Sequence, residues 1–380
     1  MIIYVVKEGD TLTQIASNFG ISLAQIIEPN QLEYPYHLAI GQSLLLLTEP
    51  VQEYRNLFAN GFAYPFINSW TLEQTLPYLS ELSIFSYGFS PDGILIPPPL
   101  PVDWMRETAL SYNCIPILTL TPFGPDGTFN NQLIHSMLSN ETAKNTLINQ
   151  LYEEVLYNGY GGVNVDFEYI LAEDRDLFTE FVRALTTAIE SVNGEVTVDL
   201  APKTSDTQQG LLNEGKDYRA LGDAATRVFV MTYEWGYTYG PPMAVAPLDK
   251  VKQVLDYATS VIPKEKITMG IPNYGYDWTL PFVRGETKAQ TIGNIEAVQL
   301  AIANGATIFY DETAQSPYFH YIVGNVTHEV WFEDARSILA KYQLLQSYPL
   351  FGFGCWQIMR LFRPMWLLSA TELDNVEIVE

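Results

Sequence analysis

The chain has 380 residues, with 20 Lys and Arg against 44 Asp and Glu, for a formal charge of −24. Apolar residues at 47%, 13% of the chain being aromatic, are enough for a large core and exclude a disordered polyelectrolyte. The acidity, with no clustered Lys and Arg, excludes duplex binding by phosphate neutralisation and disfavours an anionic membrane surface, so neither nucleic acid nor membrane is expected as a partner. Cys114 and Cys355 sit in apolar strand-like runs and are expected to be buried thiols rather than a disulfide framework. The four histidines, His37, His135, His320 and His328, fall in no metal-ligand spacing. Neither a metal nor a cofactor is therefore expected.

The first ten residues begin with a short apolar run but lack a basic region, a long apolar core and a small-residue cleavage site, so no signal peptide is expected. The apolar stretch 350–370 is interrupted by Arg360 and Arg363, which argues against a membrane span. Within residues 1–48, Ile2 to Val6 reads as a strand and Glu8-Gly9-Asp10 as a turn, and Thr11 is placed to cap a helix. Leu12, Ile15, Ala16 and Phe19 form one helical stripe that Gly20 stops. Ser22 is expected to cap a second helix ending at Pro29-Asn30, and Leu44 to Leu47 gives a second strand. This βααβ order, with Gly9-Asp10-Thr11-Leu12, Phe19-Gly20 and Asn30-Gln31-Leu32 in place, resembles a LysM domain. The resemblance implies binding of N-acetylglucosamine polymers in a groove between Gly9, Asp10, Thr11 and Leu12 on one side and Glu28, Pro29 and Asn30 on the other.

After a linker at 49–58, apolar strand-like runs alternate with helical stretches, the pattern of parallel strands joined by crossover helices. The eight runs are 61–68, 82–88, 115–120, 162–168, 196–201, 228–233, 267–271 and 350–356. Amphipathic helices are predicted over 141–157 and 175–192. The expected architecture is α/β, a (β/α)8 TIM barrel over 59–370, with a small α+β insertion at about 276–331 after the seventh strand. Residues 371–380 read as an acidic C-terminal tail.

Chemistry in such a barrel gathers at the C-terminal ends of the strands. The fourth strand reads Gly161-Gly162-Val163-Asn164-Val165-Asp166-Phe167-Glu168-Tyr169. Strand alternation puts Asn164, Asp166 and Glu168 on one face, and two carboxyls and an amide aimed inward are costly unless paired or used. Burial raises a carboxyl's pKa, which suits an acid that must deliver a proton near neutral pH.

This run resembles the signature of glycoside hydrolase family 18, Asp-x-x-Asp-x-Asp-x-Glu, and more closely that of its spore-associated, LysM-bearing branch. The family's first two acids are replaced here by Gly161 and Asn164. The resemblance implies that Glu168 protonates the glycosidic oxygen while Asp166 holds the substrate's own 2-acetamido group as it attacks the anomeric carbon, with Asn164 as an orienting amide. At the sixth strand end, Met231-Thr232-Tyr233-Glu234 resembles the family segment whose Tyr hydroxyl donates to the acetamide carbonyl, which makes Tyr233 catalytic and Met231 and Glu234 substrate-binding. The resemblance further implies that Trp356 is the floor under the reacting sugar and adds Asn273 and Tyr64 to the substrate-binding set. The implied function is hydrolysis of β-linked N-acetylglucosamine bonds in peptidoglycan of the spore cortex or in chitin by a monomer deposited on the spore. A non-catalytic lectin and a glycosidase with a carboxylate nucleophile are the alternatives, disfavoured by Glu168 and by Asn273-Tyr274 at the seventh strand end.

Overall fold

The structure is a computed structural model that describes residues 1–49, 57–123 and 130–379. Most of the linker expected at 49–58 lies outside the described residues. At the N-terminus, β1 (Ile2–Val5) and β2 (Ser43–Leu46) pair antiparallel around helices Leu12–Phe19 and Ala24–Ile27. Thr11 caps the first helix by accepting from the Gln14 amide at 3.3 Å, and Gly20 ends it at φ 65°, where a side chain would be strained. Ser22 does not cap the second helix; its amide and hydroxyl both donate to Oε1 of Gln25 at 2.9 Å, so the longer side chain reaches back.

The barrel strands follow: β3 (Phe58–Ala63), β4 (Glu81–Phe89) with the short β5 (Leu95–Ile96) paired antiparallel on it, β6 (Ile115–Leu120), β7 (Gly162–Val165), β8 (Glu195–Leu200), β9 (Arg227–Val230) and β10 (Ile267–Pro272). An insert carries β11 (Gly275–Leu280), β12 (Gln290–Ile292), β13 (Phe309–Asp311), β14 (Ser316–Val323) and β15 (Val326–Trp331), before β16 (Gly352–Trp356) completes the ring. Eight parallel strands close in the order β3, β16, β10, β9, β8, β7, β6, β4, with β4 back on β3. The first strand ends sooner than predicted. Pro65 has no N–H to give a ladder, and the chain turns there, with the Ile67 amide donating to Tyr64 O at 3.0 Å. The sixth also stops early, because the amides of Thr232 and Tyr233 each bond back two residues at 2.9 Å instead of across the sheet. Helices Glu141–Asn158 and Arg175–Glu190 pack outside the barrel, their Leu147, Leu151, Phe178 and Phe181 fully buried.

The insert is a five-stranded antiparallel sheet with helix Asn294–Ala303 on it, and Ile292, Ala297, Phe319, Val330 and Phe332 form its own core. The N-terminal module is not a bead on a string. Ile3 and Leu45 are buried in the barrel's core cluster, Gln31 bonds to the Leu361 carbonyl and the Arg363 amide, and Arg336 donates to Gly41 O. The acidic C-terminus is no free tail either: β17 (Glu377–Val379) runs parallel to β1, making a third strand of the module's sheet. A free edge on β1 would leave its amides unpaired, and alternation aims every second residue inward whatever the charge of the others. Removing residues 376–380 is expected to speed hydrogen exchange of the Ile2–Val5 amides about tenfold or more while leaving the barrel strands protected, as local opening rather than global unfolding; mass spectrometry of exchange in the truncated chain measures this.

Candidate active site

The site is built by strand ends. The β7 ladder makes its last bond at the Asp166 amide, which donates to Leu120 O at 2.9 Å. Phe167 goes outward into a layer of rings, with centroids 5.4 to 6.0 Å from Phe89, Phe178 and Phe181. That anchor leaves Asp166 and Glu168 to the inner side. They line one open cleft of about 890 Å³ with Tyr64, Phe85, Asp199, Met231, Tyr233, Glu234 and Trp356 among its walls. Asp166 is 4% exposed and Glu168 is half-buried.

Burial pushes both carboxyls up, Asp166 well above the usual carboxylate range. Behind burial, the charges of Asp199 and Glu168 raise Asp166 further, and Lys216 opposes them. For Glu168 the nearby Lys216 lowers and Glu234 raises the affinity for a proton, and burial outweighs both. A half-buried carboxylic acid whose hold on its proton is raised by burial, beside a second acid two residues earlier, can deliver that proton into the cleft.

Tyr233 stands over β10, where Gly270 makes its space: a Cβ on that glycine would lie 2.8 Å from the Tyr233 ring. Glu234 adopts φ 69°, and its Oε1 accepts from the hydroxyls of Tyr274 and, at 2.9 Å, Tyr276. These two donors lower the proton affinity that burial raises. The indole of Trp356 is met edge-on by Phe62, Tyr64 and Phe85 at 63 to 66°, which fixes the ring as a platform in the cleft.

Asn164 and Asn273, both expected to touch substrate, do not line the cleft. Asn164 is fully buried beneath it and donates Nδ2 to Asp199 Oδ2 at 3.0 Å. Asn273 is buried behind the loop after β16, where its Nδ2 serves the carbonyls of Gln357 at 3.1 Å and Arg360 at 2.8 Å, and its Oδ1 accepts from Asn294. In the N-terminal module, Gly9 and Thr11 are exposed. Asp10 is engaged by the Tyr4 hydroxyl at 2.8 Å and the Lys7 amide at 2.7 Å, whereas Leu12, Pro29 and Asn30 are buried. Asn30 holds the Ile26 carbonyl and both backbone groups of Leu45. The side chains of Asp10 and Asn30 thus build the loops they stand in. Asp199 and Lys216 were not anticipated. Asp199 was legible, since alternation through Val196-Thr197-Val198-Asp199 aims it inward, but Lys216 arrives on a loop with no pattern to mark it.

Residues 125–360 match the family described as "Glycosyl hydrolases family 18", and residues 4–46 match the LysM domain. The chain is 38% identical to the "Cortical fragment-lytic enzyme" of Bacillus subtilis (strain 168) over 430 residues, covering 99% of each. The protein of the same name from Bacillus anthracis is 34% identical over 96% of this chain and 97% of its own. The crystal structure of the Bacillus megaterium QM B1551 spore cortex-lytic enzyme SleL superposes with a TM-score of 0.90 at 32% identity, covering 100% of this chain and 98% of that one.

Because Asn273 satisfies two inward carbonyls, Asn273→Ala should cost about 2–4 kcal/mol of stability with no more than a small change in KM. Denaturant unfolding together with steady-state kinetics checks this; an unchanged midpoint with a raised KM would return Asn273 to the substrate.

Proposed function

The chain belongs to glycosyl hydrolase family 18 and is a glycoside hydrolase carrying a LysM domain, and from that premise we propose that it cleaves β-linked N-acetylglucosamine bonds in spore cortex peptidoglycan, including fragments already cut by another lytic enzyme. The observation that carries this reading is the opening of Asp166 and Glu168 into one cleft with Tyr233 and Trp356. In the proposed reaction the sugar lies on Trp356 and Glu168 gives its proton to the glycosidic oxygen. As the C1–O bond breaks, the acetamide oxygen closes on C1, Asp166 accepts the acetamide N–H, and the Tyr233 hydroxyl donates to the oxygen that is forming the ring. Glu168, now a carboxylate, takes a proton from water as that water opens the oxazolinium, so the β configuration is retained. No protein nucleophile is required, in keeping with the substrate-assisted exceptions to the two-carboxylate scheme, and the seventh strand end offers Asn273 and Tyr274 rather than an acid.

The substrate assignment is supported by the relatives named for cortical fragment lysis, which span nearly the whole chain. It places the protein's action at the spore, with chitin as the second substrate to be compared. The LysM domain holds the barrel on insoluble polymer and raises the effective concentration of glycan at the cleft. Its contacts with the barrel through Gln31, Arg336 and β17 make that hold a fixed orientation rather than a loose tether.

Glu168→Gln should lower kcat on cortex muropeptides on the order of a thousandfold, the contribution of a positioned general acid, with KM little changed; product analysis by mass spectrometry on cortex and chitin fragments side by side reads both rate and preference. Near-normal turnover by the variant would remove Glu168 from the chemistry. The raised Glu168 pKa sets a further expectation: its acid form survives to higher pH than an exposed Glu would allow, so the alkaline fall of kcat/KM comes at a higher pH than an exposed Glu would give.

A further inference from the structure

Asn164 occupies the inward position two residues before Asp166, and its amide is spent on Asp199. Asp199 comes from β8, whose register with β7 runs Val163↔Val196, Asn164↔Thr197 and Val165↔Val198. The next residues at the same level are therefore Asp166 and Asp199, and alternation aims both inward. Both are buried and both line the cleft. Lys216 is 1% exposed and donates Nζ to the backbone carbonyl of Asp199 at 2.9 Å. The segment that delivers it is gathered from within by Lys203, whose Nζ donates to the carbonyls of Asp206 and Asn213 at 3.3 Å and of Lys216 at 3.0 Å. Oδ1 of Asp166, Oδ1 of Asp199 and Oδ1 of Asn164 have no hydrogen-bond donor among the described residues.

We propose that Asp199 is a positioning residue that takes up the proton of Asp166 from the neighbouring strand, with Lys216 as the cation that balances the pair; this rests on the roles of Asp166 and Glu168 given above. Two buried carboxyls at one level do not both ionise, so the pair holds a proton. Oδ2 of Asp199 is occupied by the Asn164 amide, which leaves its Oδ1 to carry that proton. With the proton on Asp199, Asp166 is a carboxylate able to accept the acetamide N–H; with the proton on Asp166, the pair is at rest. The step moves one proton between two carboxyls and needs no co-reactant. Burial and the neighbouring acids raise both groups while Lys216 opposes the rise. The other titratable groups facing the pair are Glu168 beyond β7, Tyr233 and Glu234 beyond β9, and Tyr64 beyond β3, while β6 contributes Thr119, whose hydroxyl oxygen is also unpartnered among the described residues.

The signs of the charges make the test sharp. Where the pair gives up its shared proton, Asp199 adds a like charge beside Glu168, so Asp199→Asn should shift the alkaline limb of kcat/KM to lower pH by on the order of one unit; with no second carboxyl to take the proton that burial holds on Asp166, kcat should also fall about tenfold or more, with KM little changed. Removing the opposite charge acts the other way, so Lys216→Met should move the limb to higher pH. Returning the carboxyl to the strand of Asp166, by Asn164→Asp combined with Asp199→Asn, should recover most of the lost kcat, a rescue that a purely structural role does not give. The experiment is the pH profile of full-length wild type and these variants on cortex muropeptides, with thermal melts of each. A wild-type kcat and limb in Asp199→Asn, limb shifts of the same sign in the two single variants, or no rescue in the double variant would overturn the proposal. If Asp199→Asn fails to fold, the double variant decides: activity within about tenfold of wild type supports the relay, and a folded inactive protein contradicts it. Loss of activity in Glu168→Gln together with a normal Asp199→Asn would reject this inference alone, whereas an active Glu168→Gln would reject the hydrolytic reading beneath it.

Discussion

Burying carboxyl groups at the mouth of a closed barrel is the constraint from which the rest of this molecule follows. Asp166, Glu168 and Asp199 converge where the strands end, with Lys216 brought in against them. An isolated ion there would cost several kcal/mol of lost hydration, so the cluster persists by holding protons and by facing a cation. The same arrangement that makes the carboxyls expensive makes them reluctant to ionise, and reluctance to ionise is what a proton donor near neutral pH requires. Everything around them serves to keep that cluster in place: the ring layer behind Phe167, the space left by Gly270 for Tyr233, and the segment that Lys203 gathers to deliver Lys216.

Much of this was readable from residue order. Alternation in a single strand correctly aims Asp166 and Glu168 inward, and the repeat of eight apolar runs foretells a closed parallel barrel. What alternation does not report is depth. Asn164 shares the inward face yet lies sealed below the cleft, because a barrel interior is filled in layers and only the uppermost meets solvent. Asn273 and Asn30 show a second blind spot. Each sits in a segment that resembles a binding loop, and each spends its amide on backbone groups of neighbouring segments. A polar side chain in a loop is as apt to satisfy the fold's own unpaired carbonyls as to meet a ligand, and choosing between them requires knowing what lies across space. The loop-borne Lys216 is the extreme case, since no periodicity fixes where a loop lysine ends up.

The N-terminal module changes the view of how the two parts cooperate. Composition suggested an acidic C-terminal tail, whereas Glu377–Val379 forms a parallel strand on β1, and residues of the module's sheet are packed into the barrel core. A glycan held by such a module meets the cleft from a set direction, so the module contributes orientation as well as proximity.

The most direct measurement of the central claim is a crystal structure of the full chain with an N-acetylglucosamine-derived thiazoline, the stable mimic of the cyclised intermediate. The account predicts the thiazoline nitrogen within hydrogen-bond distance of the Asp166 carboxyl, the C–H face of its pyranose over the Trp356 indole, and Glu168 on the side where the leaving group departs. A thiazoline lodged away from Asp166, or turned so that no carboxyl meets its nitrogen, would contradict it.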